Sequence, residues 1–301
     1  MHVGFAAPIS GSWATPETML RVVRRAEDLG YHSVWTFQRL LISAEGDWPE
    51  VYRSVQDPTV TLAYLAGHTS RVRLGLGVVN IPFVSPALLA KQLATLDILS
   101  GGRLDVGLGL GWSKEEFAAS GAAYEGRGRR AEEFLEALRA LWTEEVTSFR
   151  GDFYEIPAAR MNPKPVQRPH PPILLGATAA PALRRVGRLT DGWISSSRAD
   201  LTTLGEAIVA VKDAARQAGR DPGQLRFVCR GVVRVRSAGA SGRKLLTGSP
   251  NEIRADFDVL REQGVTELFL DLNYDPEIGS PDADEEKSAQ RAEEALAALA
   301  P

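Results

Sequence analysis

Apolar residues along this chain fall into two alternating textures. Short, dense apolar runs cover residues 3–6, 33–37, 71–79, 104–108, 173–175, 192–196, 225–235 and 266–271. Between them, apolar residues recur every third or fourth position, as a helix with one buried face requires. The alternation is clearest over residues 86–112. Leu89, Leu93, Leu96 and Leu99 keep helical spacing, and Ser100-Gly101-Gly102-Arg103 stops the helix. Residues 104–108 then form a short buried strand, and Gly109-Leu110-Gly111-Trp112 makes a glycine-lined loop at its far end.

Helix starts carry their own signals. Thr15 precedes Pro16, Asp57 precedes Pro58, and Ser249-Pro250-Asn251-Glu252 reads as a capping box with proline at the first helical position. Further helices are predicted over 86–99, 126–142, 201–218 and 285–299, and after Thr178 as far as residue 189. Strands alternating with helices in this way predict an α/β protein, a (β/α)8 TIM barrel. The rival, a doubly wound sheet, lacks its dinucleotide fingerprint. Residues 107–112 read G-L-G-L-G-W, with Trp112 where a third glycine is needed, and they follow the fourth strand rather than the first.

The rhythm breaks once, giving an insertion over 143–172 after the fourth helix. FRGDFYEI predicts a hairpin and MNPKPVQRPHPP an extended, proline-rich crossing. Residues 279–284 are expected to form a mobile loop.

Composition narrows the function classes. The 301 residues, 44% hydrophobic and 24% charged, suffice for a large core. A net charge of -3 gives no reason to invoke nucleic acid or a membrane surface. Cys229, the single cysteine, lies in the apolar run FVCRGVVRV and reads as an inert buried thiol; it excludes an intrachain disulfide. His2, His32, His68 and His170 are too scattered to make a metal set. No apolar run is long enough to span a bilayer, and MHVGFAAPISGSW lacks the basic and apolar regions of a secretory signal. A cytoplasmic enzyme acting on a small molecule is expected. In a barrel, ligands bind where the strands' carboxyl ends meet their loops. The long loop 38–56 therefore predicts an apolar, aromatic substrate pocket from Trp48, together with Trp13 and Phe37.

Three segments resemble the bacterial luciferase-like monooxygenase superfamily: RVRLGLGVVNIPFVSPALLAKQLATLDILSGGRLDVGLGLGW, PPILLGATAAPALRRVGRLTDGW and GSPNEIRADFDVLREQGVTELFL. The resemblance spans nearly the whole chain and implies one luciferase-like barrel domain over 1–301. It also implies a cofactor in the barrel mouth, either the deazaflavin coenzyme F420 or FMN. In the deazaflavin branch a non-prolyl cis peptide ends the third strand and backs the cofactor ring; the matching positions are Gly77 and Val78. Asn80 matches a polar position touching the ring. Gly111 and Trp112 match the loop flanking the cofactor's side chain. Gly176, Ala177 and Thr178 match a phosphate loop, where helix-start N–H groups favour an anion. Arg127, Arg129 and Arg130 are placed to meet the coenzyme's polyglutamate tail.

The implied activity is hydride transfer between F420 and a small organic substrate. The alternatives are an FMN-dependent monooxygenase served by a separate flavin reductase, and a cofactor-free barrel acting as a binding or structural subunit. A homodimer through the helices after strands two and three is also implied.

One departure bears on mechanism. Where many deazaflavin members carry an acidic residue and then histidine, this chain has Gln38 and Arg39. Arg39 stays protonated and cannot be an ordinary general acid. It suits an enolate, a substrate carboxylate or a cofactor contact. Glu116, in the first turn of a short helix, is a candidate site acid. Any proton donor must be a tyrosine, a glutamate or water.

Overall fold

Strand closure is complete in the computed structural model, which describes residues 1–301. The barrel strands are β1 (His2–Ala6), β2 (Ser33–Thr36), β3 (Arg73–Leu76), β4 (Leu104–Gly109), β5 (Ile173–Gly176), β6 (Gly192–Ile194), β7 (Arg226–Val232) and β8 (Glu267–Asp271). All pair in parallel with their chain neighbours, and β8 returns to β1 with His2 opposite Glu267 and Phe5 opposite Leu270. This is the (β/α)8 barrel expected from the alternating pattern.

Ten helices accompany the strands: α1 (Pro16–Asp28), α2 (Pro58–Ala66), α3 (Pro86–Leu99), α4 (Lys114–Ala119), α5 (Arg127–Thr143), α6 (Ala180–Leu189), α7 (Leu204–Gln217), α8 (Pro250–Glu262), α9 (Pro276–Gly279) and α10 (Glu285–Ala298). Their starts follow the sequence signals. Thr15 and Asp57 accept from first-turn N–H groups, and Ser249 with Glu252 forms the reciprocal capping box. None is long and apolar enough to cross a membrane.

The amino-terminal end of the barrel is closed by charge. Asp105, fully buried, accepts from both Arg73 (2.6 and 2.8 Å) and Arg226 (2.7 and 3.1 Å), and Arg226 also reaches Glu267 at 2.8 Å. Above this layer, Trp35 stacks on Phe269 with ring centroids 5.1 Å apart. Its indole N–H donates to Glu267 at 2.9 Å. Ala6, Leu174, Ile194 and Val228 fill the rest of the interior, and Val78 caps it from above. Gly75 on β3 is what admits the indole, since a β-carbon there would lie 2.2 Å from the Trp35 ring.

Three expectations need adjustment. The third strand is not continuous over 71–79: it stops at Leu76, Gly77-Val78 forms a cis peptide, and pairing resumes at Val79–Asn80 against β4. The seventh ends at Val232, and Arg234–Val235 leaves the barrel to pair with Thr247–Gly248. The segment 279–284 is anchored at its start: Ser280 is buried, its carbonyl accepts from Ser12 N–H at 3.1 Å, and Gly279 packs on Gly11. Residues 143–172 do contain a hairpin, Thr147–Arg150 against Glu155–Ala159.

Candidate active site

A cavity of about 380 Å³ opens at the carboxyl ends of the barrel strands. Val78 is its floor. Room for that side chain exists because β4 and β5 present glycines beneath it: a β-carbon on Gly109 would lie 2.5 Å from Val78 Cγ2, and ones on Gly107 and Gly176 would lie 3.6 and 3.7 Å from Cγ1. Three neighbouring strands thus leave a shallow apolar shelf that a planar ring could cover.

One wall is set by amides. Gln38 Oε1 accepts from Asn80 N–H at 2.9 Å and from Asn80 Nδ2 at 3.1 Å, while Asn80 Oδ1 accepts from Gly111 N–H at 3.0 Å. The loops after β2, β3 and β4 are therefore tied through two side chains. Gly111 sits at φ +72°, with Phe117 and Phe83 crowding the space a side chain would need.

Arg39 and Glu116 face each other behind the next wall. Arg39 Nη1 lies 2.7 Å from Glu116 Oε2, with side chains 5% and 1% exposed. The approach is a charge contact without hydrogen-bond alignment, so Arg39 Nε and Nη1 have no acceptor. The other carboxylate oxygen accepts from Leu40 N–H at 2.8 Å. Aromatic rings enclose the guanidinium: Trp112 at 4.5 Å, Tyr52 at 4.6 Å and Trp48 at 6.0 Å from its carbon. Arg198 lies 4.7 Å from Trp112.

Arg230 on β7 is the residue that sequence reasoning missed. It is buried, bonds Asp271 on β8 through Nε (2.7 Å) and Nη2 (2.6 Å), and reaches the Gly77 carbonyl at 3.3 Å. Its guanidinium also covers Phe37 at 4.4 Å and Tyr274 at 4.7 Å. The available signal was a charged residue inside FVCRGVV, answered by an aspartate ending TELFLD; a barrel buries such a pair only together.

Tyr274, just beyond β8, donates its hydroxyl to that of Tyr52 at 3.2 Å. Burial pushes Tyr274 upward. Burial acts on Tyr52 in the same sense, but the Tyr274 hydrogen bond and the charges of Arg230, Arg39 and Arg198 outweigh it, so Tyr52 ends below the ordinary phenol value.

The opposite end of the cavity suits an anion. Gly176, Ala177 and Thr178 border it and lead into α6, whose N-cap residue Ala179 supplies no side-chain acceptor. Pro181 in the first turn has no N–H and Ala182 N–H already donates to the Ala179 carbonyl at 2.9 Å, so the Ala180 N–H is the first-turn donor left for an anion. Trp193 Nε1 holds the loop by donating to the Ala177 carbonyl at 2.8 Å. Arg127 borders the same cavity with no carboxylate partner; its own contacts are the Tyr124 carbonyl (3.2 Å) and the Tyr124 ring.

Of the predicted site residues, Gln38, Arg39, Phe37, Gly77, Val78, Asn80, Gly111, Trp112, Gly176, Ala177 and Thr178 all border this one cavity. Glu116 and Trp48 stand behind Arg39 and Trp112 without bordering it. Trp13 does not belong to the pocket: it is fully buried in the main core. Its place in the β1–α1 connection suggests the mouth, but the side chain packs into the core. The pocket is aromatic as expected, yet not apolar, because Arg39 and Arg230 share its wall. Arg129 points away, 3.7 Å from Asp152 and largely exposed. No three His, Cys, Asp or Glu side chains gather anywhere as a metal-binding group would.

The model of a family described as luciferase-like monooxygenase matches residues 1–241. A Mycobacterium tuberculosis protein described as uncharacterized is 34% identical over 233 residues, covering 73% of this chain and 80% of its own length. The FMNH2-dependent dimethylsulfone monooxygenase of Pseudomonas putida is 39% identical over 145 residues, 47% of this chain and 40% of that protein. The F420-dependent glucose-6-phosphate dehydrogenase of Amycolatopsis mediterranei is 29% identical over 223 residues, 72% of this chain and 64% of that enzyme. Among solved structures, the monooxygenase RslO1 from Streptomyces bottropensis superposes with a TM-score of 0.81 at 28% identity, covering 100% of this chain and 98% of RslO1. An F420-dependent secondary alcohol dehydrogenase does so at 0.77 and 19% identity, covering 99% and 98%, a likeness of fold.

Proposed function

The chain belongs to the luciferase-like monooxygenase family, and from that premise we propose that it is a cytoplasmic oxidoreductase using coenzyme F420 to reduce or oxidise a small organic substrate. The observation that carries this reading is a single cavity with an apolar floor at Val78 and an anion cradle at Gly176–Thr178. The floor suits a planar ring, Asn80 would offer it a polar edge, and Trp112 would flank the chain joining ring to phosphate. The bound coenzyme supplies hydride donor or acceptor chemistry. The protein's residues position the two reactants, exclude water and govern the proton.

F420 is preferred over FMN because cationic character continues past the phosphate cradle. Arg127 borders the cavity, and Arg130 on the next turn of α5 donates only to the Ala123 carbonyl and covers Phe153. Two guanidiniums without carboxylate partners suit a polyanionic tail better than one phosphate. The identity with the FMNH2-dependent Pseudomonas enzyme favours a second reading, a monooxygenase supplied by a separate reductase.

Titrating the purified protein with F420 and separately with FMN tests the choice, using intrinsic tryptophan fluorescence, to which Trp112 at the cavity wall contributes. Micromolar or tighter F420 binding with weaker FMN binding is expected. Preferential FMN binding moves the protein to the reductase-dependent class, and binding of neither leaves a cofactor-free barrel. The same reading makes residues 1–301 one functional unit and the protein a homodimer, since α2 and α3 leave Val60 (70% exposed) and Leu99 (62%) outside the core. Sedimentation velocity at micromolar concentration checks the dimer.

A further inference from the structure

We infer that Tyr52 is the residue that transfers the proton in this active site, and that the substrate pair is therefore a carbonyl compound and its alcohol. The inference rests on the hydride-transfer reading above. Reduction of a polar double bond needs a proton at the heteroatom as the hydride reaches carbon, and the cavity offers few sources. No residue bordering it is histidine, aspartate, glutamate, lysine or cysteine. Its titratable groups are three arginines and two tyrosines, and a guanidinium does not release its proton at ordinary pH. Glu116 is turned away into its contacts with Arg39 and Leu40 N–H.

The two phenols are not equivalent. The two hydroxyls share one hydrogen bond, and with Tyr274 as its donor the Tyr52 hydrogen is free for a third group. Three arginines act on Tyr52 electrostatically at the barrel mouth. Arg39 comes from the loop after β2, Arg198 from the loop after β6, and Arg230 from β7. Of the carboxylates nearby, Glu116 faces Arg39, Asp271 faces Arg230, and Glu277 of α9, which packs on the Glu50–Tyr52 turn, faces Arg236 and Arg291, while Glu50 of that turn is exposed to solvent. A phenolate on Tyr52 would be favoured by the Tyr274 hydrogen bond and by the positive charges of Arg230, Arg39 and Arg198, in line with its displacement below the ordinary phenol value against burial.

In the reductive direction, a bound reduced deazaflavin would supply the hydride for the new C–H bond as the carbonyl π pair moves to oxygen. That oxygen takes the Tyr52 proton and becomes the alcohol hydroxyl. Tyr52 is left as phenolate, stabilised by Tyr274 and the arginines, and recovers its proton from solvent. The sum is one reduced deazaflavin and one carbonyl compound giving oxidised deazaflavin and alcohol, the ring N–H proton that the coenzyme releases to solvent replacing the one that Tyr52 delivers. In reverse, the phenolate takes the alcohol proton.

Two measurements on the full-length protein test this. Absorbance at 295 nm is followed through pH in the wild type, Tyr52→Phe and Tyr274→Phe. One phenol should ionise below the usual midpoint in the wild type, vanish in Tyr52→Phe and move upward in Tyr274→Phe. A wild type without that early transition, or its survival in Tyr52→Phe, overturns the inference whichever cofactor binds. The second measurement is oxidation of reduced F420 at 420 nm with a panel of aliphatic and aromatic aldehydes and ketones. Turnover that falls about 100-fold or more in Tyr52→Phe, at unchanged F420 affinity, is expected. Equal turnover in the variant, or none by a wild type that binds F420, overturns it. Failure to bind F420 defeats the earlier reading instead, and is seen separately in the fluorescence titration.

Discussion

Arg39 and Glu116 bury opposite charges 2.7 Å apart, on two different loops at the barrel mouth. The contact fixes which way the guanidinium presents itself, between the Tyr52 and Trp112 rings. Removing either partner leaves the other charged and desolvated, at a cost of about 3–5 kcal/mol, whereas replacing both with apolar groups recovers much of it. Urea unfolding of Glu116→Leu, Arg39→Met and the double variant should therefore show strong non-additivity. Additive losses would mean that each side chain is held by its aromatic or backbone neighbours alone.

Gly109 sets the depth of the cavity floor. A β-carbon there would lie 2.5 Å from Val78 Cγ2 and 2.7 Å from Asn80 Oδ1. Gly109→Ala must lift Val78 and disturb the Gln38–Asn80–Gly111 hydrogen bonds together. The expected result is a protein that folds with a destabilisation of about 1–3 kcal/mol and binds cofactor at least tenfold more weakly. Cofactor titration beside thermal melting checks it; wild-type affinity would show that the shelf is not where the ring lies.

Much of this site is legible in the amino-acid sequence, and the reason is local. A glycine-rich turn, a proline at the first helical position or a capping box declares itself within a few residues, so the barrel, the Gly176–Thr178 turn and the Gly111–Trp112 loop can all be read from the chain. Arg230 and Asp271 cannot. Each is a charge at the far end of a mostly apolar strand, and the two meet only because β7 and β8 are hydrogen-bonded neighbours, with Arg230 opposite Phe269 and Val232 opposite Asp271. Tyr52 and Tyr274, more than 200 positions apart, are joined by the same closure of the barrel. Trp13 fails the other way: a tryptophan beside the first loop looks like a pocket residue until its side chain is seen to pack into the core.

Asp105 predicts an acid limit to stability. Burial would raise its pKa, but hydrogen bonds and charge from Arg73 and Arg226 win, and it titrates below its ordinary value of 3.8. A group lowered by folding contributes stability that is complete above its unfolded pKa and is lost as pH falls through its folded one. Denaturation midpoints should therefore fall as pH drops from about 5 toward 2. Asp105→Asn should be less stable at neutral pH and flatter across the same window. An identical slope in the variant would assign the acid sensitivity to other carboxylates.

Arg127 offers the cleanest separation of cofactor binding from folding. It borders the cavity near the start of α5, which is braced against α6 by Arg185 on Glu132 at 2.9 Å. Its guanidinium donates to one carbonyl and covers one exposed-side ring, so folding asks little of it. A charge-assisted hydrogen bond to an anion is worth roughly 1.5–3 kcal/mol, or about 10- to 100-fold in affinity. Arg127→Gln should weaken F420 binding by that range and leave the melting temperature of the unliganded protein in place. If the arginine meets the tail rather than the phosphate, the loss for F420 should exceed the loss for FMN, and added salt should narrow the gap. Equal losses for both would put Arg127 at the phosphate itself. No loss for either would remove this end of the cavity from cofactor binding.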